Sequence, residues 1–224
     1  MSVIVKICGL ATEASLDAAL ENGADMVGFV FFEKSPRHVS LALAESLGRR
    51  VAGRACKVLV TVDANDASLA AAIAALDPGL LQLHGRESPE RIAAVRARFG
   101  LPVMKAIGIF AEADLARVPV FDGVTDFLLF DAKPVCAAGR PGGRGTSFDW
   151  SLLGGIETKK RWLLAGGLDA SNVVEALAQT GAPGVDVSSG VESAPGVKDE
   201  ARIAAFIAAV RGAAAKLGPS ARVG

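Results

Sequence analysis

The chain has 224 residues, 51% hydrophobic and 21% charged, and its 24 basic and 24 acidic side chains cancel to a formal net charge of zero. A chain this apolar, with no polar low-complexity tract, is not disordered, and a neutral balance with few aromatics argues against a nucleic-acid partner. Its alanine-rich stretches, such as ARIAAFIAAVRGAAAK, are broken by charges and too short to span a bilayer, so no membrane partner is expected.

The first element is VIVKIC, a strand carrying Lys6, without the basic start and long apolar stretch of a secretory signal. TEASLDAALENG follows as a helix, with Thr12 as N-cap, Leu16 and Leu20 on one face and Gly23 as the stop. ADMVGFVFF is a buried run, and after a loop comes the helical SLALAESLGRRV. CKVLVTVD gives way to ASLAAAIAALD, and LLQLHG leads to SPERIAAVRARFG, where Ser88 caps, Pro89 takes the first turn and Gly100 terminates. The second half repeats the alternation. VMKAIGI precedes AEADLARV, and DFLLFDAK precedes a long glycine-rich loop and a short helix near DWSLLGG. RWLLAGGL precedes SNVVEALAQTG, and GVDVSSG precedes the final helix KDEARIAAFIAAVRGAAAK.

These are eight strand–helix pairs. Strands so continuously apolar are covered on both faces, which means a parallel sheet with helical crossovers. Eight pairs in this length predict an α/β fold, a single-domain (β/α)₈ TIM barrel over residues 1–224. An open Rossmann sheet would need a G-x-G-x-x-G turn after the first strand, and CGLATE does not supply it. VKICGL against MKAIGI, and MVGFVF against DFLLFD, are consistent with a barrel of two halves.

In such a barrel the chemistry collects at the C-terminal ends of the strands. Those ends are Cys8, the loop FEKSPRH, Asp63, His84, Gly108, Asp131, Gly166-Gly167 and Ser188-Ser189-Gly190. Alternation puts Lys6 and Cys8 on one face, as it does Gln82 with His84 and Asp186 with Ser188. Since the first and eighth strands adjoin on closure, Lys6 is placed to pair with Asp186 inside the barrel.

AGGL and DVSSGVE, at adjacent strand ends, offer small residues with free amides and hydroxyls. Either alone is explained by a tight turn; together they point to a phosphate. Arg37 in SPRH is a second anion handle, expected on the opposite side of the mouth, though a lone loop arginine also reads as a solvated charge. His38 and His84 do not make a metal site, and His84 fits a hydrogen-bonding or structural lining role. Of the three cysteines, Cys56 reads as a small buried hydrophobe and Cys136 has no evident partner; their spacing offers neither a metal site nor a disulfide framework. A reduced, cytoplasmic protein is expected. Asp131 closes the apolar run DFLLFD, where a carboxyl group is costly to bury without a role or a partner. A thiol and a carboxyl facing each other across the mouth would divide the work of base and acid. With two anion sites, they suggest isomerisation of a phosphorylated, acid-bearing small molecule.

KICGL, FEKSPRHVS, LQLHG, FDAKP, GGRGTSFDW, AGGL and VDVSSGVESAPGVKD run in order from end to end of the chain, and in them it resembles the phosphoribosylanthranilate isomerase family. Ala11, where threonine is common, and Arg144 in the glycine-rich loop are departures away from the assigned chemistry. The resemblance implies an Amadori rearrangement in tryptophan biosynthesis. N-(5-phosphoribosyl)anthranilate would become 1-(2-carboxyphenylamino)-1-deoxyribulose 5-phosphate, without metal or organic cofactor. By the same resemblance Cys8 is the general base and Asp131 the general acid. Arg37 would hold the anthranilate carboxylate, with His84 lining that region, while Gly166, Gly167, Ser188, Ser189 and Gly190 bind phosphate. Burial would raise the Asp131 pKa and keep it acidic, and a nearby positive charge, from the protonated amine of the iminium intermediate with Lys6 contributing from below, would help populate the Cys8 thiolate, whose free pKa is about 8.5. Gly142, Gly143 and Gly145 make the loop at 139–147 either a lid or a plain connector. Other readings remain: a metal-dependent pentulose-phosphate epimerase would want more strand-end histidines, and indole-glycerol-phosphate synthase an N-terminal extension and a lysine-centred site. The imidazole-pathway isomerase would carry an aspartate at position 8, and a catalytically silent sugar-phosphate-binding barrel would bind without turnover. No helix face stands out as an interface, so a monomer is expected.

Overall fold

The computed structural model describes residues 3–132, 150–153, 156 and 158–217. The apolar runs are eight strands: β1 (Ile4–Cys8), β2 (Met26–Phe31), β3 (Cys56–Thr61), β4 (Leu80–Leu83), β5 (Val103–Ile109), β6 (Phe127–Ala132), β7 (Arg161–Ala165) and β8 (Gly184–Val187). They pair in chain order, each parallel to the next, and β8 closes on β1 through Lys6↔Asp186. The expected barrel is present.

The helices are α1 (Glu13–Glu21), α2 (Leu41–Val51), α3 (Asp66–Leu76), α4 (Pro89–Phe99), α5 (Val118–Asp122), α6 (Val173–Thr180) and α7 (Glu200–Leu217). Thr12 caps α1, its hydroxyl accepting from Ser15 N, and Ser88 caps α4 in the same way through Arg91 N. AEADLARV, expected as an α-helix, is instead a 3₁₀ turn over Glu112–Arg117 that runs into the short α5. Asp114 holds the start of that turn by accepting from Phe110 N and Ala111 N. Pro119 lacks the N–H that one continuous helix would need there, and sits instead in the first turn of α5.

Strand alternation divides the apolar side chains into two layers. Ile7, Phe29, Leu59, Ile107 and Phe130 face outward into a shell with Leu16, Leu47, Leu69, Ile92 and Phe206 of the helices. Met26, Val58, Val60, Leu80, Met104, Leu129 and Leu163 fill the inside of the barrel. Among the polar side chains buried on these strands are Lys6, Gln82 and Asp186.

A buried ion pair shapes the top of β4. Lys105, 1% exposed, binds Glu87 at 2.7 Å and donates to the carbonyls of Gly85 at 2.7 Å and Leu83 at 3.3 Å. Glu87 in turn accepts from Asp63 N and Gly85 N. The network ties together the ends of β3 and β4 and sets the turn that carries His84. The glycine-rich stretch 139–147, expected as a lid or a plain connector, and Cys136 lie outside the described residues.

Candidate active site

The strand ends converge on a cavity of about 410 Å³. Cys8, Arg37, His84 and Asp131 line it, and so do Gly166, Gly167, Ser188 and Ser189. Gly190 lies instead along a separate groove with Asp169 and Arg202, and a Cβ there would stand 1.9 Å from the carbonyl oxygen of Leu168. Its place is a close backbone approach to the loop after β7.

Cys8 ends β1 almost fully buried, opposite Gly28 of β2. A Cβ on Gly28 would stand 3.0 Å from Cys8 Sγ and 3.3 Å from Lys6 Nζ, so thiol and ammonium meet in the space that this glycine leaves. Lys6 Nζ donates to Asp186 Oδ1 at 2.8 Å, the pairing expected from barrel closure. Burial pushes the Cys8 thiol above its ordinary value, against the pull of the Lys6 and Lys198 cations, and the Asp186 carboxylate adds to the rise. Burial also works against the Lys6 charge, but Asp186 and Cys8 outweigh it and hold the ammonium above its usual range.

On the far side of the cavity, Asp131 Oδ2 lies 3.4 Å from His84 Nε2, and His84 Nδ1 lies 2.9 Å from Gln82 Nε2. Gly166 and Gly167, just beyond β7, have φ of 96° and 64°. Ser188 follows β8, and its hydroxyl is already engaged, donating to the Cys8 carbonyl at 3.1 Å.

Arg37 is not on the opposite side of the mouth from β8. It reaches across the end of β1 to Glu192, with Nε–Oε1 at 2.6 Å and Nη2–Oε2 at 2.7 Å. The reason is Gly9: with φ +77° and no side chain it lets Arg37 lie over the strand end, where a Cβ would meet Arg37 Cδ at 2.5 Å. Glu192 belongs to a small hairpin, β9 (Glu192–Ala194) and β10 (Val197–Lys198), that folds back over the SPR loop. Lys198, on β10, binds Glu192 Oε1 at 2.7 Å and donates to the carbonyl of Ser188 at 2.8 Å. One carboxylate therefore ties the arginine handle to the loop that carries Ser188.

Burial disfavours the Glu192 charge, but the hydrogen bonds from Arg37 and Lys198 outweigh it and hold the pKa at about 2, below the ordinary 4.5. A depressed carboxylate pKa keeps this link intact above the ordinary value and lets it go only as pH falls toward about 2. Burial pushes Lys198 below its ordinary value, against the pull of Glu192. Neither Glu192 nor Lys198 was singled out by its strand position, because both lie past the end of β8. The signal that finds them is the SAPG turn between them, a hairpin pattern that brings the chain back to the mouth.

His38 is exposed and packs edge-on against Phe31 at 6.4 Å, away from His84. Among the described residues no group of three His, Cys, Asp or Glu side chains is placed to hold a metal ion, and no helix is long and apolar enough to cross a membrane.

The family model described as N-(5'phosphoribosyl)anthranilate (PRA) isomerase matches residues 5–209. The N-(5'-phosphoribosyl)anthranilate isomerase of Beijerinckia indica is 68% identical over 211 residues, covering 94% of this chain and 95% of the relative. That of Azorhizobium caulinodans is 57% identical over 220 residues, covering 98% and 96%. Among solved structures, phosphoribosyl anthranilate isomerase from Thermotoga maritima superposes with a TM-score of 0.83 at 34% identity, over 94% of this chain and 99% of that one. A phosphoribosyl anthranilate isomerase in complex with reduced 1-(o-carboxyphenylamino)-1-deoxyribulose 5-phosphate gives 0.81 at 32% identity, with the same coverage.

Proposed function

The chain belongs to the N-(5'-phosphoribosyl)anthranilate isomerase family, and from that premise we propose how its mouth residues divide the reaction. The reaction is the Amadori rearrangement of N-(5'-phosphoribosyl)anthranilate to 1-(2-carboxyphenylamino)-1-deoxyribulose 5-phosphate, a step of tryptophan biosynthesis. Asp131 gives a proton to the furanose ring oxygen, and the ring opens to an iminium. The Cys8 thiolate removes the C2 proton to leave an enolamine, which tautomerises to the ketone. No metal or organic cofactor enters this scheme.

The observation that carries the assignment is that Cys8 and Asp131 line one cavity together with an arginine handle and the loops after β7 and β8. Arg37 takes the anthranilate carboxylate, with His84 beside it. Gly166, Gly167, Ser188, Ser189 and Gly190 form the phosphate loop, with Gly190 acting from behind by allowing its close turn. Two anions held at two points fix the sugar between base and acid. The solved relative bound to a reduced form of the same ribulose phosphate supports this reading. Turnover is tested with freshly made substrate, followed by loss of anthranilate-type fluorescence; binding of product without turnover would leave a silent barrel.

Glu192 acts on this scheme through Arg37. It holds two of the guanidinium donors, and so aims the remaining ones into the cavity. Glu192→Gln should raise KM for the natural substrate about tenfold while leaving KM for a phosphoribosyl-aniline, which lacks the carboxylate, unchanged. Equal losses on both substrates would make Glu192 a purely structural residue.

The same reading takes residues 1–224 as one cytoplasmic barrel that works as a monomer. Its support is that exposed large apolar side chains among the described residues, such as Leu41 on α2, Val120 on α5 and Val174 on α6, belong to separate elements of the fold. The mass in solution, by light scattering across a concentration series, tests it.

A further inference from the structure

Gln82 is fully buried on β4, two residues before His84 and on the same side of the chain. Its carboxamide meets His84 Nδ1, and His84 Nε2 meets Asp131, so the three side chains form a line from the barrel interior to the cavity. The Gln82 carbonyl oxygen is buried with no hydrogen-bond partner among the described residues. A buried amide serving only to pack the barrel would be expected to have both ends satisfied.

The two ends of an amide are unlike: the NH₂ only donates and the carbonyl only accepts. With the nitrogen facing Nδ1, the ring proton sits on Nε2 and His84 donates to an ionised Asp131. With the amide turned over, the oxygen faces Nδ1, the ring proton sits there, and Nε2 offers its lone pair to a protonated Asp131. The second arrangement holds one more proton than the first, and that proton is on Asp131. A proton donor needs the second before ring opening and is left in the first afterwards.

We propose that Gln82 is a positioning residue that selects the His84 tautomer and through it holds the proton on Asp131, its amide turning over as that proton leaves and returns. The inference rests on Asp131 being the acid. In each turnover the Asp131 O–H bond breaks as the ring oxygen gains its proton, and the C2 proton passes to Cys8. Solvent then takes the proton from the thiol and returns one to Asp131. On the neighbouring strands β5 sets Gly108 and β7 sets Ala165 beside Asp131. Among the described residues the other titratable side chains lining the cavity are Cys8, Arg37 and Asp186, with Arg37 bound to Glu192 and Asp186 bound to Lys6.

The chain has only two histidines, so ¹⁵N-histidine labelling reads His84 directly once His38→Gln assigns the spectrum. The wild type at neutral pH should carry its His84 proton on Nδ1, and Gln82→Met should return it to Nε2. In the same variant kcat should fall about tenfold, KM should hold, and the alkaline limb of the kcat/KM profile should move to lower pH. A wild-type His84 protonated on Nε2 throughout the active pH range would overturn the proposal. So would a Gln82→Met enzyme slowed equally at every pH with an unmoved spectrum. Asp131→Asn, assayed alongside, separates the two readings: an active enzyme removes Asp131 as the acid, whereas an inactive one beside an unmoved His84 spectrum removes only the role of Gln82.

Discussion

Cys8→Ala and Asp131→Asn should each lower kcat by about 10³-fold, within the range of general acid–base catalysis, while the product still binds. Each variant removes one proton-transfer group and leaves the arginine handle and both phosphate-type loops in place. Cys8→Ala takes away the proposed base. It leaves Lys6 and Asp186 paired beneath an apolar methyl group, so the barrel should keep its closure. Asp131→Asn keeps the volume and can still accept from His84, but it has no proton to give the ring oxygen. Single-turnover decay of substrate fluorescence, with product binding measured in parallel, checks both. Activity surviving in both variants would mean that the chemistry lies on other residues of the mouth.

Lys6→Met should cost about 3–5 kcal/mol of stability, because it leaves the Asp186 carboxylate buried without its partner. Lys6→Met with Asp186→Leu should recover most of that loss, since an apolar pair of similar volume needs no compensating charge. Urea midpoints at constant m-value read both effects. The same single variant has a catalytic consequence of known sign. Burial already holds the Cys8 thiol above its ordinary pKa, and Lys6 is the largest influence pulling it back. Without that ammonium the thiolate becomes scarcer at any given pH, so the acid limb of the kcat/KM profile should move to higher pH. A profile that stays where it is would remove Lys6 as a helper of the base.

The barrel was legible because its two periodicities are written in the chain. Near-continuous apolar strands such as MVGFVF and DFLLF alternate with capped helices such as the one opened by Ser88 and Pro89, and eight such pairs in this length fit a closed parallel barrel. Strand alternation also carried the inward pairing of Lys6 with Asp186, since closure sets β8 beside β1. The first helical run of the second half fared differently. AEADLARV has helical composition, but Asp114 and Pro119 divide it into a 3₁₀ turn and a short α-helix.

By itself, the sequence determined the fold class and the set of polar residues carried to the strand ends, because both follow from local patterns of period 2 and 3.6 and from chain order. Only the tertiary structure decided which of those residues meet. Arg37 reaches Glu192 over Gly9, Lys198 comes back to Ser188 on a hairpin, and Gln82 lines up behind His84 and Asp131. Contacts of this kind join residues as far as 155 positions apart. They depend on where one missing side chain leaves room and on what lies beside the chain once a turn has returned it; a turn signal marks the return but not the partner it meets.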